Sequence, residues 1–257
     1  MVKKCSLSTI SSSVLFHFSG SIINLKNILS EEAFRPHYVI ENYEILFGDQ
    51  ADLKQLAFPM GCFCDIPLSL IRDHICFYGS YGIGLSKEWG FKNGITPVLY
   101  FYLHSFLAQR LKRIYRNISS ITKGQEKEQW VSDLTNILSF VKPYEGEAKH
   151  KNSDQIFNKR FYDEREWRYV PDLSKTDLRP CLAEDEFSTI YEKNSQLQEM
   201  FKLKFYPEDI KYIVVEEDEQ ILEMLKFIDE TYLNCDKNHL AKLKSRIITK
   251  TQIESDF

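Results

Sequence analysis

The chain of 257 residues has no run of about 18 apolar residues, the length a helix needs to cross a bilayer, so no membrane span is expected. It has no Gly-x-Ser-x-Gly, which removes the usual strand-to-helix nucleophile turn of a serine hydrolase. Neither Gly-x-x-x-x-Gly-Lys nor Gly-x-Gly-x-x-Gly occurs, so the common phosphate-cradling loops are missing. There is no excess of positive charge. The net charge of −4 excludes a chain built as a whole to coat nucleic acid. Internal repeats are absent too. The start of the chain, Met1 to Phe16, carries two lysines, but serines interrupt its apolar part and no small-residue cleavage site follows. Without an export signal, the six cysteines read as reduced thiols of a cytoplasmic protein.

What the chain has in quantity is aromatic side chains. Phe, Tyr and Trp make up 14% of the residues, which favours a mixed fold containing sheet and supplies rings for stacking. Val14–Ser19 reads as a first core strand, and Ser21 or Gly20 opens a helix over Ile22–Leu29 with apolar residues at helical spacing. Residues 31–49 look irregular, with Pro36 and Gly48 as breakers. A second apolar strand is expected around Gly61–Ile66, closed by Pro67, and a short helix over Leu68–Phe77. Trp89–Asn93 reads as a turn. Thr96–Tyr102 reads as a strand, followed by helices over His104–Ile121 and Glu126–Phe140. The stretch 149–159 reads as a polar loop. Ile210–Val215 is a strand, and Asp218 caps a helix running to about Tyr232. Residues 1–233 are expected as one domain, and 234–257 as a Lys-rich helix or tail.

Chemistry concentrates in three pieces. The last, Phe161–Tyr169, reads as a strand by its aromatics and alternation, which puts Glu164, Glu166 and Arg168 on one face. Two carboxylates stacked together should raise the proton affinity of at least one of them. A Glu-x-Glu strand can hold a ribose hydroxyl and stabilise a nearby oxocarbenium ion. It can equally be an exposed strand with paired or solvated charges. The first piece is His17-Phe-Ser19, able to hydrogen-bond a ribose and a carboxamide. The middle piece, Tyr78–Ser86, has glycines at 79, 82 and 84, which mark tight turns or close backbone approach to a ligand. Tyr78 or Tyr81 could stack on a nicotinamide ring. Asp65 and Arg72 are further polar candidates. Cys62-x-Cys64 with His74 and Cys76 offers zinc-type donors at a spacing that fits no standard finger or knuckle. Both strand cysteines read better as small hydrophobes.

The chain resembles the AbiGi-type family of abortive phage infection proteins. The resemblance is carried by His17-Phe-Ser with Asn24-Leu-Lys-Asn-Ile-Leu, by Met60-Gly-Cys-Phe-Cys-Asp-Ile-Pro-Leu-Ser, by His74 with Tyr78-Gly-Ser-Tyr-Gly-Ile-Gly-Leu-Ser-Lys-Glu-Trp-Gly, by Lys142-Pro-Tyr-Glu-Gly and by Phe161–Tyr169. Members of that family are commonly labelled antitoxins. More distantly, the order His-x-Ser, glycine-rich strand, Glu-x-Glu is similar to ADP-ribosyltransferases, including DarT-like toxins of DNA. That second resemblance implies an α+β fold with a split, twisted antiparallel sheet and peripheral helices. It implies NAD as substrate, with His17, Ser19, Tyr78, Tyr81 and Arg168 binding it. Glu166 would be the catalytic residue, Glu164 would orient the acceptor, and a phage or host macromolecule, protein or nucleic acid, would receive the ADP-ribose. The sequence departs from poly-ADP-ribose polymerases where their stacking tyrosine falls on Gly84. The alternative is a non-catalytic antitoxin or sensor on the same fold, binding a toxin or phage-protein partner.

Overall fold

The computed structural model describes residues 11–48, 51–121, 124–149, 156–233 and 235–256. The segment read above for an export signal lies almost wholly outside these residues, as do positions 150–155 of the expected polar loop. The fold is α+β, with mixed sheet and peripheral helices. Its chain divides into two compact units, one drawn from residues up to 32, 63–92 and 205 onward, the other from 33–62 and 93–204.

The first unit is built on strands Val14–Ser19, Tyr81–Ser86, Ile210–Val215 and Ile247–Thr249. The first two pair antiparallel with His17 opposite Ile83 and Ser19 opposite Tyr81. Ile210–Val215 pairs antiparallel with Tyr81–Ser86 and parallel with Ile247–Thr249. The parallel pair corrects the expectation of an all-antiparallel sheet. It arises because the chain leaves Ile210–Val215 through helices Glu219–Thr231 and Lys237–Lys244, a crossover long enough to bring it back to the same end of the sheet and lay down a parallel edge strand. Phe16, Phe18, Cys64, Ile66, Ile71, Ile75, Val214 and Ile253 form the core. Ser21 caps helix Ile22–Glu31 by accepting the Ile23 N–H. Lys87–Lys92 is a helix, where a turn over Trp89–Asn93 was expected. Trp89 is buried and its ring meets Phe63 at 5.5 Å, so packing against an aromatic neighbour favours a helical turn that carries the indole inward.

The second unit centres on positions 55–62 of strand Gln55–Cys64, which pair antiparallel with His37–Asn42 and with Leu182–Ala183. The region read as irregular thus supplies a sheet strand. Its HYVIEN alternation places Tyr38 inward, and pairing with an apolar partner outweighs the Pro36 breaker. The expected Thr96–Tyr102 strand is two short pieces. Thr96–Pro97 pairs with Glu166–Tyr169, and Leu99–Phe101 pairs in parallel with Val141–Pro143. Between them, the Val98 N–H still donates to the Glu166 carbonyl at 2.9 Å while Leu99 has turned to Phe140, so the chain changes partners at Val98. Helices Phe106–Ser120 and Gln125–Leu138 flank this sheet and bury Ala108, Leu111, Ile118, Leu134 and Leu138 with Phe58 and Met60.

Tyr43 ties these layers together. It is buried, and its hydroxyl donates to the carbonyls of Leu138 at 2.6 Å and Val141 at 3.2 Å. Burial pushes its phenol pKa well above the ordinary value, so the hydroxyl stays a donor. Tyr43→Phe is expected to lose about 1–3 kcal/mol by stranding those carbonyls. In urea titrations the midpoint should fall with the slope unchanged. An unchanged midpoint would mean that the hydroxyl bonds carry no net weight.

Candidate functional site

The Glu-x-Glu segment converges as expected, but by another route. Phe161–Glu164 is a turn of 3₁₀ helix, Arg165 takes a left-handed conformation at φ 44°, and only Glu166–Tyr169 is strand. The turn is closed by Arg165 N–H donating to Tyr162 O, and Arg160 binds Asp163 at 2.6 Å. These local bonds compete successfully with strand continuation at 161–164. Glu164, Glu166 and Arg168 are nonetheless all buried, at 5%, 7% and 0% exposure.

Three partners from elsewhere in the unit complete the cluster. Lys142, from the Val141–Pro143 strand, reaches Glu164 at 2.7 Å and Glu166 at 2.9 Å. Lys159 holds the other Glu164 oxygen at 2.7 Å. Arg168 donates through Nε to Glu166 at 2.8 Å, through Nη1 to the Ser139 carbonyl at 2.7 Å, and through Nη2 to Glu41 and to Glu166. The backbone N–H of Glu166 donates to the Tyr100 hydroxyl at 2.9 Å. Three carboxylates therefore face three cations, and among the described residues no buried side-chain polar atom lacks a partner.

The electrostatics reverse the expectation of a proton-hungry carboxylate pair. Burial alone would raise both glutamates, but the Lys142 and Lys159 ammoniums hold the Glu164 carboxyl below the usual range. Lys142 and Arg168 hold Glu166 further below it. The repulsion read from the spacing is outweighed by cations that the local sequence does not contain. Burial works against Lys142, yet Glu166, Glu41 and Glu164 raise its pKa well above normal, so it stays charged. The Cys62 thiol is raised by burial and by Glu166, leaving it protonated and a poor metal ligand or nucleophile. Among the described residues no group of His, Cys, Asp and Glu is placed to hold a metal ion.

His17, Ser19, Tyr78 and Tyr81 belong to the first unit, and Glu164, Glu166 and Arg168 to the second. Within the first unit, the His17 ring lies against Phe63 at 5.8 Å, and Ser19 Oγ donates to the Ser21 carbonyl at 3.1 Å. The Tyr78 ring packs on His74 at 4.4 Å. The Tyr81 hydroxyl donates to Glu216 at 3.1 Å and accepts from Gln220 at 2.9 Å. The glycines of this strand face rings. A Cβ on Gly82 would lie 2.6 Å from the Phe18 ring, and one on Gly84 would lie 2.7 Å from the Phe16 ring. Phe16 stacks in turn on Phe18 and on Tyr212, both at 5.7 Å. The close approach expected of a ligand is made by neighbouring strands. Asp65, another candidate, binds Lys87 at 2.7 Å and the Ser12 N–H at 2.7 Å, and Arg72 donates to the Glu254 carbonyl.

Sequence reasoning missed Lys142, Lys159 and Glu41. A signal existed for Lys142, since a lysine between Val141 and Pro143 in an apolar extended segment needs a buried counter-ion.

A family model described as "Putative abortive phage resistance protein AbiGi, antitoxin" matches residues 32–216, which span all six charged residues of the cluster. The abortive phage resistance protein AbiGi of Lactococcus lactis subsp. cremoris is 31% identical over 218 residues, covering 76% of this chain and 87% of that protein. No solved structure matches. The chain belongs to the AbiGi family of abortive phage resistance proteins.

Proposed function

We propose that this AbiGi-family chain is a non-catalytic antitoxin of a phage-defence system, acting by binding a toxin partner. One observation carries the reading. The two carboxylates best suited to catalysis are consumed by the fold: Glu164 by Lys142 and Lys159, Glu166 by Lys142 and Arg168, all inside the protein. A catalytic carboxylate must reach substrate, and a nearly neutral, fully bonded buried cluster serves instead to fix one arrangement of the sheet. The description of the family as an antitoxin supports the same reading. Among the described residues no helix is long and apolar enough to cross a membrane.

The competing reading is transfer of ADP-ribose from NAD, supported by the order of the three motifs in the sequence. There His17, Ser19, Tyr78, Tyr81 and Arg168 would bind NAD, Glu166 would face the developing oxocarbenium ion, and Glu164 would orient the acceptor. It requires Glu166 to give up its bonds to Lys142 and Arg168 for a ribose hydroxyl.

Expression and labelling separate the two. The chain expressed alone should leave host growth unchanged. With radiolabelled NAD and lysate, incorporation should not rise above that of lysate alone, with wild type or with Glu166→Gln. Growth arrest, or labelling that wild type supports and Glu166→Gln abolishes, overturns the antitoxin reading.

A further inference from the structure

We propose that the start of helix Phe106–Ser120 and the small cavity beside it form a docking surface for an acidic protein segment that inserts one large apolar side chain. The inference rests on the antitoxin reading above and names the surface through which that partner is held.

The cavity measures about 120 Å³ and is lined by Ile45, Phe101, Tyr102, His104, Pro143 and Tyr144 among others. A cavity of roughly 150 Å³ holds a benzene ring, so this one accepts a leucine, isoleucine or similar anchor. Tyr102 on its lining is 54% exposed, and its ring meets His104 edge-on at 5.6 Å. Phe106, two residues beyond His104 at the start of the helix, is 66% exposed. Exposed aromatic groups beside a concavity are typical of interface anchors.

Charge supplies the second observation. In a chain of net charge −4, helix Phe106–Ser120 carries Arg110, Lys112, Arg113 and Arg116 and not one carboxylate. None of the four forms an ion pair with another described residue. Arg110 lies over the Phe106 ring at 4.1 Å, which holds the guanidinium beside that exposed aromatic side chain and leaves its donors unspent. The acidic first turn of the neighbouring helix, Glu126 and Glu128, follows in sequence the far end of this helix, away from Phe106. A partner carboxylate one or two helical turns from an inserted anchor would meet Arg110 and Arg113. Glu145 on the cavity lining disfavours a continuous polyanion there, so the surface suits a protein segment better than a nucleic-acid backbone.

The experiment uses the full chain, immobilised, and a phage-displayed library of random 16-residue peptides. Selected peptides should be rich in Asp and Glu around one Leu, Ile or Met. The best of them, labelled and followed by anisotropy, should bind at least tenfold more weakly to Arg110→Glu/Arg113→Glu and to Tyr102→Ser/Phe106→Ser. Binding should also weaken with salt. Tyr102, Phe106 and Arg113 are exposed and Arg110 is half-buried, and unchanged melting curves would exclude unfolding as the cause. Selection without acidic enrichment, or selected peptides that bind both double variants within twofold of wild type, overturns the proposal. A random 16-nucleotide RNA that binds more tightly than the peptides, and loses affinity in the charge-reversed variant, overturns it in favour of a nucleic-acid surface. These outcomes leave the antitoxin reading standing, whereas growth arrest or Glu166-dependent labelling removes that reading whatever the peptides do.

Discussion

Arg168→Leu is expected to destabilise the protein by about 3–5 kcal/mol at pH 7. The side chain it removes is fully buried and answers Glu41, Glu166 and the Ser139 carbonyl together. Leucine fills part of the volume but leaves buried Glu166 and half-buried Glu41 short of a cation and a carbonyl short of a donor. The pH dependence should change sign as well. In the wild type, Glu164 and Glu166 have folded-state pKa values below the ordinary value. Their contribution is therefore present above the unfolded carboxylate pKa of about 4.3 and is lost as pH falls below it. In the variant, burial opposed by fewer cations raises the carboxylate pKa. The folded state then takes up protons before the unfolded state does, and stability rises as pH is lowered from 7 toward 5. Urea titrations at pH 7 and pH 5 test both statements. A loss under 1 kcal/mol at pH 7, with the wild-type pH slope retained, would show that Glu166 and Glu41 do not depend on Arg168, and the claim that the guanidinium is consumed by the fold would fall.

The contrast between this cluster and its local sequence shows what was legible. Strand Val14–Ser19, strand Ile210–Val215 and helices Ile22–Glu31, Phe106–Ser120, Gln125–Leu138 and Glu219–Thr231 follow from apolar periodicity, which acts over a few neighbours, whereas the expected Asp218 cap is not made, because that carboxylate accepts from the Thr249 hydroxyl instead. Spacing also brought Glu164, Glu166 and Arg168 together, although Glu164 arrives through a turn and not along a strand. What could not be read was the sign of the electrostatics. Glu41 lies 127 residues from Arg168, and Lys142 lies 22 and 24 residues from the glutamates that it neutralises. Only the sheet brings them within 3 Å of one another, so a pair that looked repulsive in isolation is held in a balanced set. The glycine-rich strand misled for the same reason. Its partners are the Phe16 and Phe18 rings of the adjacent strand, far away in sequence, and a ligand-binding glycine and a ring-facing glycine look alike in one dimension.

Gly79→Ala is expected to cost about 3 kcal/mol, at the upper end of backbone strain, because two penalties combine there. Gly79 ends helix Arg72–Tyr78 at φ 118° and ψ 163°, a region that residues with a Cβ scarcely enter. An added Cβ would also lie 2.2 Å from the Ser19 carbonyl oxygen. That neighbour is backbone, fixed by the pairing of Ser19 with Tyr81, so no rotamer change relieves the contact. Gly82→Ala is the internal comparison. Its Cβ meets the Phe18 ring at 2.6 Å, and a ring can tilt away, so a smaller loss of about 1–2 kcal/mol is expected from overpacking. Thermal unfolding of both variants beside wild type ranks them. If Gly82→Ala proves the more damaging, the ring stack and not the Gly79 turn is the less yielding part of this unit. If neither variant loses stability, the glycines are not serving packing, and the ligand-facing role suggested by their spacing becomes the better account of the motif.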